Sequence, residues 1–76
     1  MADVLLIDDD PLLRGALLEH LKHAGVDAED AQDGLDGLAK ARQNHPKIII
    51  LDEMMPRMSG QEFIEALRAE EWGKQI

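Results

Sequence analysis

Seventy-six residues with a formal net charge of −8 and no cysteine describe one small domain at most, and a chain of this length buries only about 60% of its unfolded surface. The composition excludes a disulfide framework and any thiolate metal site and suits the reducing cytoplasm. Apolar runs of at most four residues exclude a membrane span, no signal-peptide layout opens the chain, and the negative charge opposes direct contact with nucleic-acid phosphates.

Val4-Leu5-Leu6-Ile7 is the first strand candidate, and it runs straight into Asp8-Asp9-Asp10. Pro11 suits the first position of a helix and Asp10 its N-cap. Leu12, Leu13, Ala16, Leu17, Leu21 and Ala24 recur at helical spacing, and Gly25 ends the helix. With Asp10 assigned as cap, Asp8 and Asp9 have no evident structural duty. The alternation over 26–31 predicts a short edge strand. Asp33 then caps a helix over 34–42, with Leu35, Leu38, Ala39 and the stem of Arg42 as its apolar stripe. Asn44-His45-Pro46 ends that helix, because the residue before a proline is biased away from helical geometry.

Ile48-Ile49-Ile50-Leu51, an unbroken apolar run rich in β-branched residues, lies in a strand over 47–52 that ends on a carboxylate, Asp52, before a loop over 53–59. Such a run predicts a strand buried on both faces, as in a parallel sheet. A third helix begins near Gly60, with Phe63, Ile64 and Leu67 inward. Trp72-Gly73-Lys74 terminates it, and Gln75-Ile76 reads as the start of another strand.

Strand followed by helix, three times over, implies an α/β fold with a parallel sheet and right-handed crossovers. The first and third strands become neighbours, which brings Asp8, Asp9 and Asp52 to one edge of the sheet, where open α/β sheets bind ligands. Three carboxylates so close repel one another, and a cation relieves this. All-oxygen donors select Mg²⁺, Mn²⁺ or Ca²⁺ over zinc. With a metal offsetting the charge, Asp52 can attack a phosphoryl group as nucleophile. The plainer alternative makes Asp8 and Asp9 strand-end and capping acids and Asp52 a turn acid. Two histidines, His20 and His23, lie three apart on a helix and read as surface residues rather than ligands.

At these residues the chain resembles a known family. Leu6-Ile7-Asp8-Asp9-Asp10 near the start and Leu51-Asp52-Glu53-Met54-Met55-Pro56-Arg57-Met58-Ser59-Gly60 after the third strand resemble the receiver domain of two-component response regulators. The resemblance implies a flavodoxin-like, receiver-type parallel sheet, here partial: strand–helix three times, with 1–76 as a truncated receiver domain ending before the fourth strand. It implies a non-enzymatic signalling domain with Asp52 as phosphoacceptor. Asp9 is then a direct Mg²⁺ ligand, Asp8 acts through a metal-bound water, and Met54 lends its backbone carbonyl. The phosphodonor is a histidine kinase or phosphotransfer protein, or a small donor such as acetyl phosphate.

Receiver domains continue to a strand ending in Ser or Thr and another ending in Lys, which this sequence lacks, so the isolated chain is expected to be switching-defective. An apolar third strand with no successor predicts self-association through the open sheet edge. A non-catalytic dimerisation or interaction module is the alternative. Two other classes fit poorly. A haloacid-dehalogenase-type phosphatase matches only through the Asp8, Asp10 spacing, and an EF-hand loop counted from Asp8 has Leu13 where it needs glycine.

Overall fold

A computed structural model describes residues 3–52, 55 and 57–76. Three parallel strands, β1 (Val4–Ile7), β2 (Ala28–Ala31) and β3 (Ile48–Leu51), alternate with α1 (Pro11–His23), α2 (Gly34–Asn44) and α3 (Gly60–Arg68), and a 3₁₀ helix follows at Glu71–Gln75. The sheet order is β2-β1-β3, with Val4 opposite both Ala28 and Ile48, and Ile7 opposite both Ala31 and Leu51. This is the expected α/β architecture, with the first and third strands adjacent.

Central β1 is buried along its whole length. Alternation sends Leu5 and Ile7 to one face, where they join Ala31, Ala41, Met55, Phe63 and Leu67 in the core. The third strand departs from expectation. Ile49 and Leu51 pack against that core, but Ile48 and Ile50, on the opposite face, are 57% and 42% exposed. The strand is therefore covered on one face and not on both, because α1 packs over β2 and β1.

Helix α1 starts as predicted. The Asp10 carboxylate accepts the Leu12 N–H at 3.0 Å, and Gly25, at φ 82°, closes the far end in a conformation that L-residues avoid. Its inward face differs from the predicted stripe: no α1 residue is fully buried, Leu12 is 85% exposed, and Arg14, Leu18 and Leu21 are the half-buried positions. A shallow curve of apolar residues on an all-round mixed helix left the phase of that stripe ambiguous.

In α2 the Asp33 side chain caps the Asp36 N–H, as expected. The buried positions are Gly34, Gly37 and Ala41, with Leu38 partly buried against the core, whereas Leu35, Ala39 and Arg42 face out. Close approach decides this: a β-carbon on Gly37 would run into the Ile7 side chain. The helix ends at Asn44, and His45 takes a left-handed cap conformation before Pro46.

Helix α3 buries Phe63 and Leu67, while Ile64, expected inside, is 45% exposed. No strand begins at Gln75-Ile76. That stretch ends the 3₁₀ helix, with Ile76 resting on the core. Trp72 stacks on His45 at 4.7 Å and donates to Glu70. No helix among the described residues is long and apolar enough to cross a membrane.

Candidate functional site: three carboxylates at the sheet edge

The sheet ladder itself delivers the acids. Past the end of β1, the Asp8 N–H donates to the Ala31 carbonyl at 3.2 Å, and past the end of β3 the Asp52 N–H donates to the Ile7 carbonyl at 3.0 Å. Both residues are thus held at the carboxyl ends of adjacent parallel strands. One carboxylate oxygen from each of Asp8, Asp9 and Asp52 lies within 4.8 Å of the others. Asp8 is buried, Asp52 half-buried and Asp9 exposed.

Asp8 has a structural duty that sequence reasoning denied it. Its Oδ1 accepts the Asp10 N–H at 2.9 Å, turning the chain from β1 into α1. Arg14 braces the same turn: Nη1 donates to the Asp8 carbonyl at 2.8 Å and Nε to Asp30 Oδ2 at 2.9 Å. No local pattern in the sequence marks Arg14, since Asp30 reaches it only through the fold. Lys40 adds a bond to the Asp30 carbonyl at 2.6 Å, so the β2 end of the site is also fixed.

Beside the acids lies a cavity of about 280 Å³ lined by Asp9, Pro11, Arg14, Gln32, Asp33 and Arg57. Asp33 is buried, and Arg57 Nη1 stands 3.5 Å from its Oδ2. Farther along, Ser59 and Glu62 form a reciprocal capping box at the start of α3. Bonds from the Ser59 N–H and hydroxyl hold the Glu62 carboxyl below the usual glutamate range. This box was not among the caps expected from the sequence, although the Ser-x-x-Glu spacing is the local signal that could have found it.

The donors are three carboxylates without His or Cys, a set suited to a hard dication such as Mg²⁺ and unsuited to zinc. Among the described residues no other group of three or more His, Cys, Asp or Glu side chains is so arranged, and His20 and His23 gain no third ligand. Met54, the fourth expected donor, lies outside the described residues.

A parallel α/β sheet with an acid pocket at the carboxyl ends of its adjacent first and third strands defines a doubly wound domain with its site at the strand ends. Residues 4–76 match the family model for the response regulator receiver domain. The chain belongs to that family, whose members are signalling domains and generally not enzymes.

The transcriptional regulator RpaA of Synechocystis is 39% identical over 71 residues, which cover 93% of this chain and 30% of that protein. Protein PilG of Pseudomonas aeruginosa is 46% identical over 57 residues, 75% of this chain and 42% of PilG. Among solved structures, the chemotaxis response regulator CheY4 of Vibrio cholerae superposes with a TM-score of 0.91 at 40% identity, covering 97% of this chain and 62% of CheY4. A receiver protein domain from Methanoculleus marisnigri reaches 0.93 at 25% identity, over 100% of this chain and 62% of that one. The chain therefore spans about three-tenths of the length of RpaA and about three-fifths of these receiver structures.

Proposed function

We propose that residues 1–76 belong to a receiver unit in which Asp52 accepts a phosphoryl group from a histidine kinase or phosphotransfer protein. The observation that carries this reading is the convergence of Asp8, Asp9 and Asp52 within 4.8 Å. A carboxylate oxygen of Asp52 attacks phosphorus, an O–P bond forms, and the N–P bond to the donor imidazole breaks. The electron pair returns to that nitrogen, which takes a proton from solvent.

Mg²⁺, when bound here, supplies the positive charge that offsets repulsion between the acids and the incoming phosphoryl oxygens. Asp9 would hold it directly, Asp8 through a water and Met54 through its backbone carbonyl. The turn bonds of Asp8 and the Arg14 brace keep the first two acids in place. The later hydroxyl and lysine that receiver domains use to hold phosphoryl oxygens have no counterpart in 1–76. Within residues 1–76 the phosphoryl group is therefore held by the groups around the acid pocket alone, and a cysteine-free sequence suits the cytoplasm as its compartment.

The test is incubation with Mg²⁺ and acetyl phosphate followed by intact mass. A single acid-stable, base-labile phosphate is expected, absent from Asp52→Asn. Labelling that persists in Asp52→Asn removes Asp52 from the role.

A second reading, a dimerisation module, is favoured by the uncovered Ile48 and Ile50 on edge strand β3. Sedimentation at micromolar concentration should show a dimer that Ile50→Lys dissociates without unfolding. A compact wild-type monomer would exclude this reading.

A further inference from the structure

Two guanidinium groups line the cavity beside Asp9, and they are held very differently. Arg14 is fixed, its side chain 18% exposed and tied to both Asp30 and the Asp8 carbonyl. Arg57 has a side chain 64% exposed, and its ion pair with Asp33 is long at 3.5 Å. Its backbone sits at φ 71°, a left-handed conformation that an L-residue with a long side chain seldom adopts. Such outliers persist where surroundings or function require them. Asp33 does not depend on Arg57 for its capping task, since its other oxygen accepts the Asp36 N–H at 2.9 Å.

We propose that Arg57 is a mobile counter-ion that leaves Asp33 to grip the phosphoryl group on Asp52. The inference rests on the reading of Asp52 given above. Phosphorylation adds roughly −1.5 to −2 charges to a pocket that already holds Asp8 and Asp9, and Arg57 follows Asp52 by five positions in the chain. The cavity has Asp9 on one wall and Arg57 on another, and an Asp9 carboxylate oxygen lies within 4.8 Å of one from Asp52. Arg57 and Asp9 thus border the same open space, and the long, exposed guanidinium has room to swing toward the acids. Its planar fork matches phosphoryl oxygens in a bidentate manner, which the weakly placed pair with Asp33 does not use. Asp33 and the phosphoryl group then compete for one cation.

Competition has a signature that a simple tether lacks. Beryllofluoride, a phosphoryl mimic, is titrated into the Mg²⁺-loaded chain by calorimetry. Arg57→Gln should weaken its binding about tenfold. Asp33→Asn, which keeps a competent N-cap, should tighten binding severalfold because the resting partner is gone. In the metal-free protein, Asp33→Asn should also shift the Arg57 Nε–Hε resonance toward that of a solvated guanidinium. Circular dichroism of each variant confirms the fold. Wild-type affinity in Arg57→Gln, or a shift in the same direction for both variants, overturns the inference alone. Absence of beryllofluoride binding by the wild type overturns it together with the reading of Asp52.

Discussion

Replacing Asp9 by Asn in the metal-free protein should stabilise it, an unusual sign for a substitution at a functional site. The carboxylate oxygens of Asp8, Asp9 and Asp52 approach within 4.8 Å. Coulomb's law at that separation gives about 0.9 kcal/mol of repulsion per pair in bulk water and about 3.5 kcal/mol at an effective dielectric of 20. Asp9 is exposed, so its two repulsions lie near the lower figure. Against this, an acid near the start of α1 gains about 0.3–1 kcal/mol from the helix dipole, which the substitution forfeits.

The net expectation is a gain of about 1 kcal/mol, set against a total of about 4–11 kcal/mol for a chain of this length. In urea this raises the midpoint by about 0.5–1 M. The assay is urea denaturation followed by circular dichroism, once with EDTA and once with millimolar Mg²⁺. With Mg²⁺ the order should reverse, because a cation bound to the native state stabilises the wild type by mass action and Asp9→Asn lacks a ligand. An Asp9→Asn midpoint at or below wild type in EDTA, or an equal Mg²⁺ gain in both proteins, refutes the reasoning.

Three further outcomes test how the fold supports this site. Gly37→Ala should destabilise by about 1–2 kcal/mol, since the collision with fully buried Ile7 outweighs the helix propensity gained; a stabilised variant would show that the core yields there. Ser59→Ala, which opens the capping box of α3, should cost about 1 kcal/mol in the same assay, and an unchanged midpoint would dismiss the cap. Bonds from Arg42 and then Trp72 hold the Glu70 carboxyl below its usual value of 4.5. A depressed folded value means that its stabilisation is complete above the unfolded value and is lost as pH falls through the folded one. The wild type should therefore lose more stability than Glu70→Gln on acidification below about pH 5, and parallel acid limbs would contradict the assignment.

How much could be read before the fold was known depended on whether the deciding contacts were local. The strands and helices, the Asp10 and Asp33 caps and the Gly25 stop follow from short-range pattern and backbone chemistry. The apolar phase of the helices did not follow. Leu12, Leu35 and Ile64 are as hydrophobic as residues that are buried, and only the partner element determines which face turns inward. For α2 that partner, Ile7 pressed against Gly37, selects a face of small residues in preference to leucines.

At the site, the sequence by itself determined which acids meet. Each follows a strand in a parallel α/β alternation, and the doubly wound order of the family that the sequence resembles sets the first and third strands side by side, as the sheet order β2-β1-β3 has them. Tertiary structure alone decided what holds and surrounds them. Arg14 meets Asp30 across 16 positions and Arg57 meets Asp33 across 24, and pairings between segments so far apart leave no periodic trace in the chain. Periodicity records how a residue relates to its own helix or strand, whereas the neighbours of a charged side chain are set by how those elements pack.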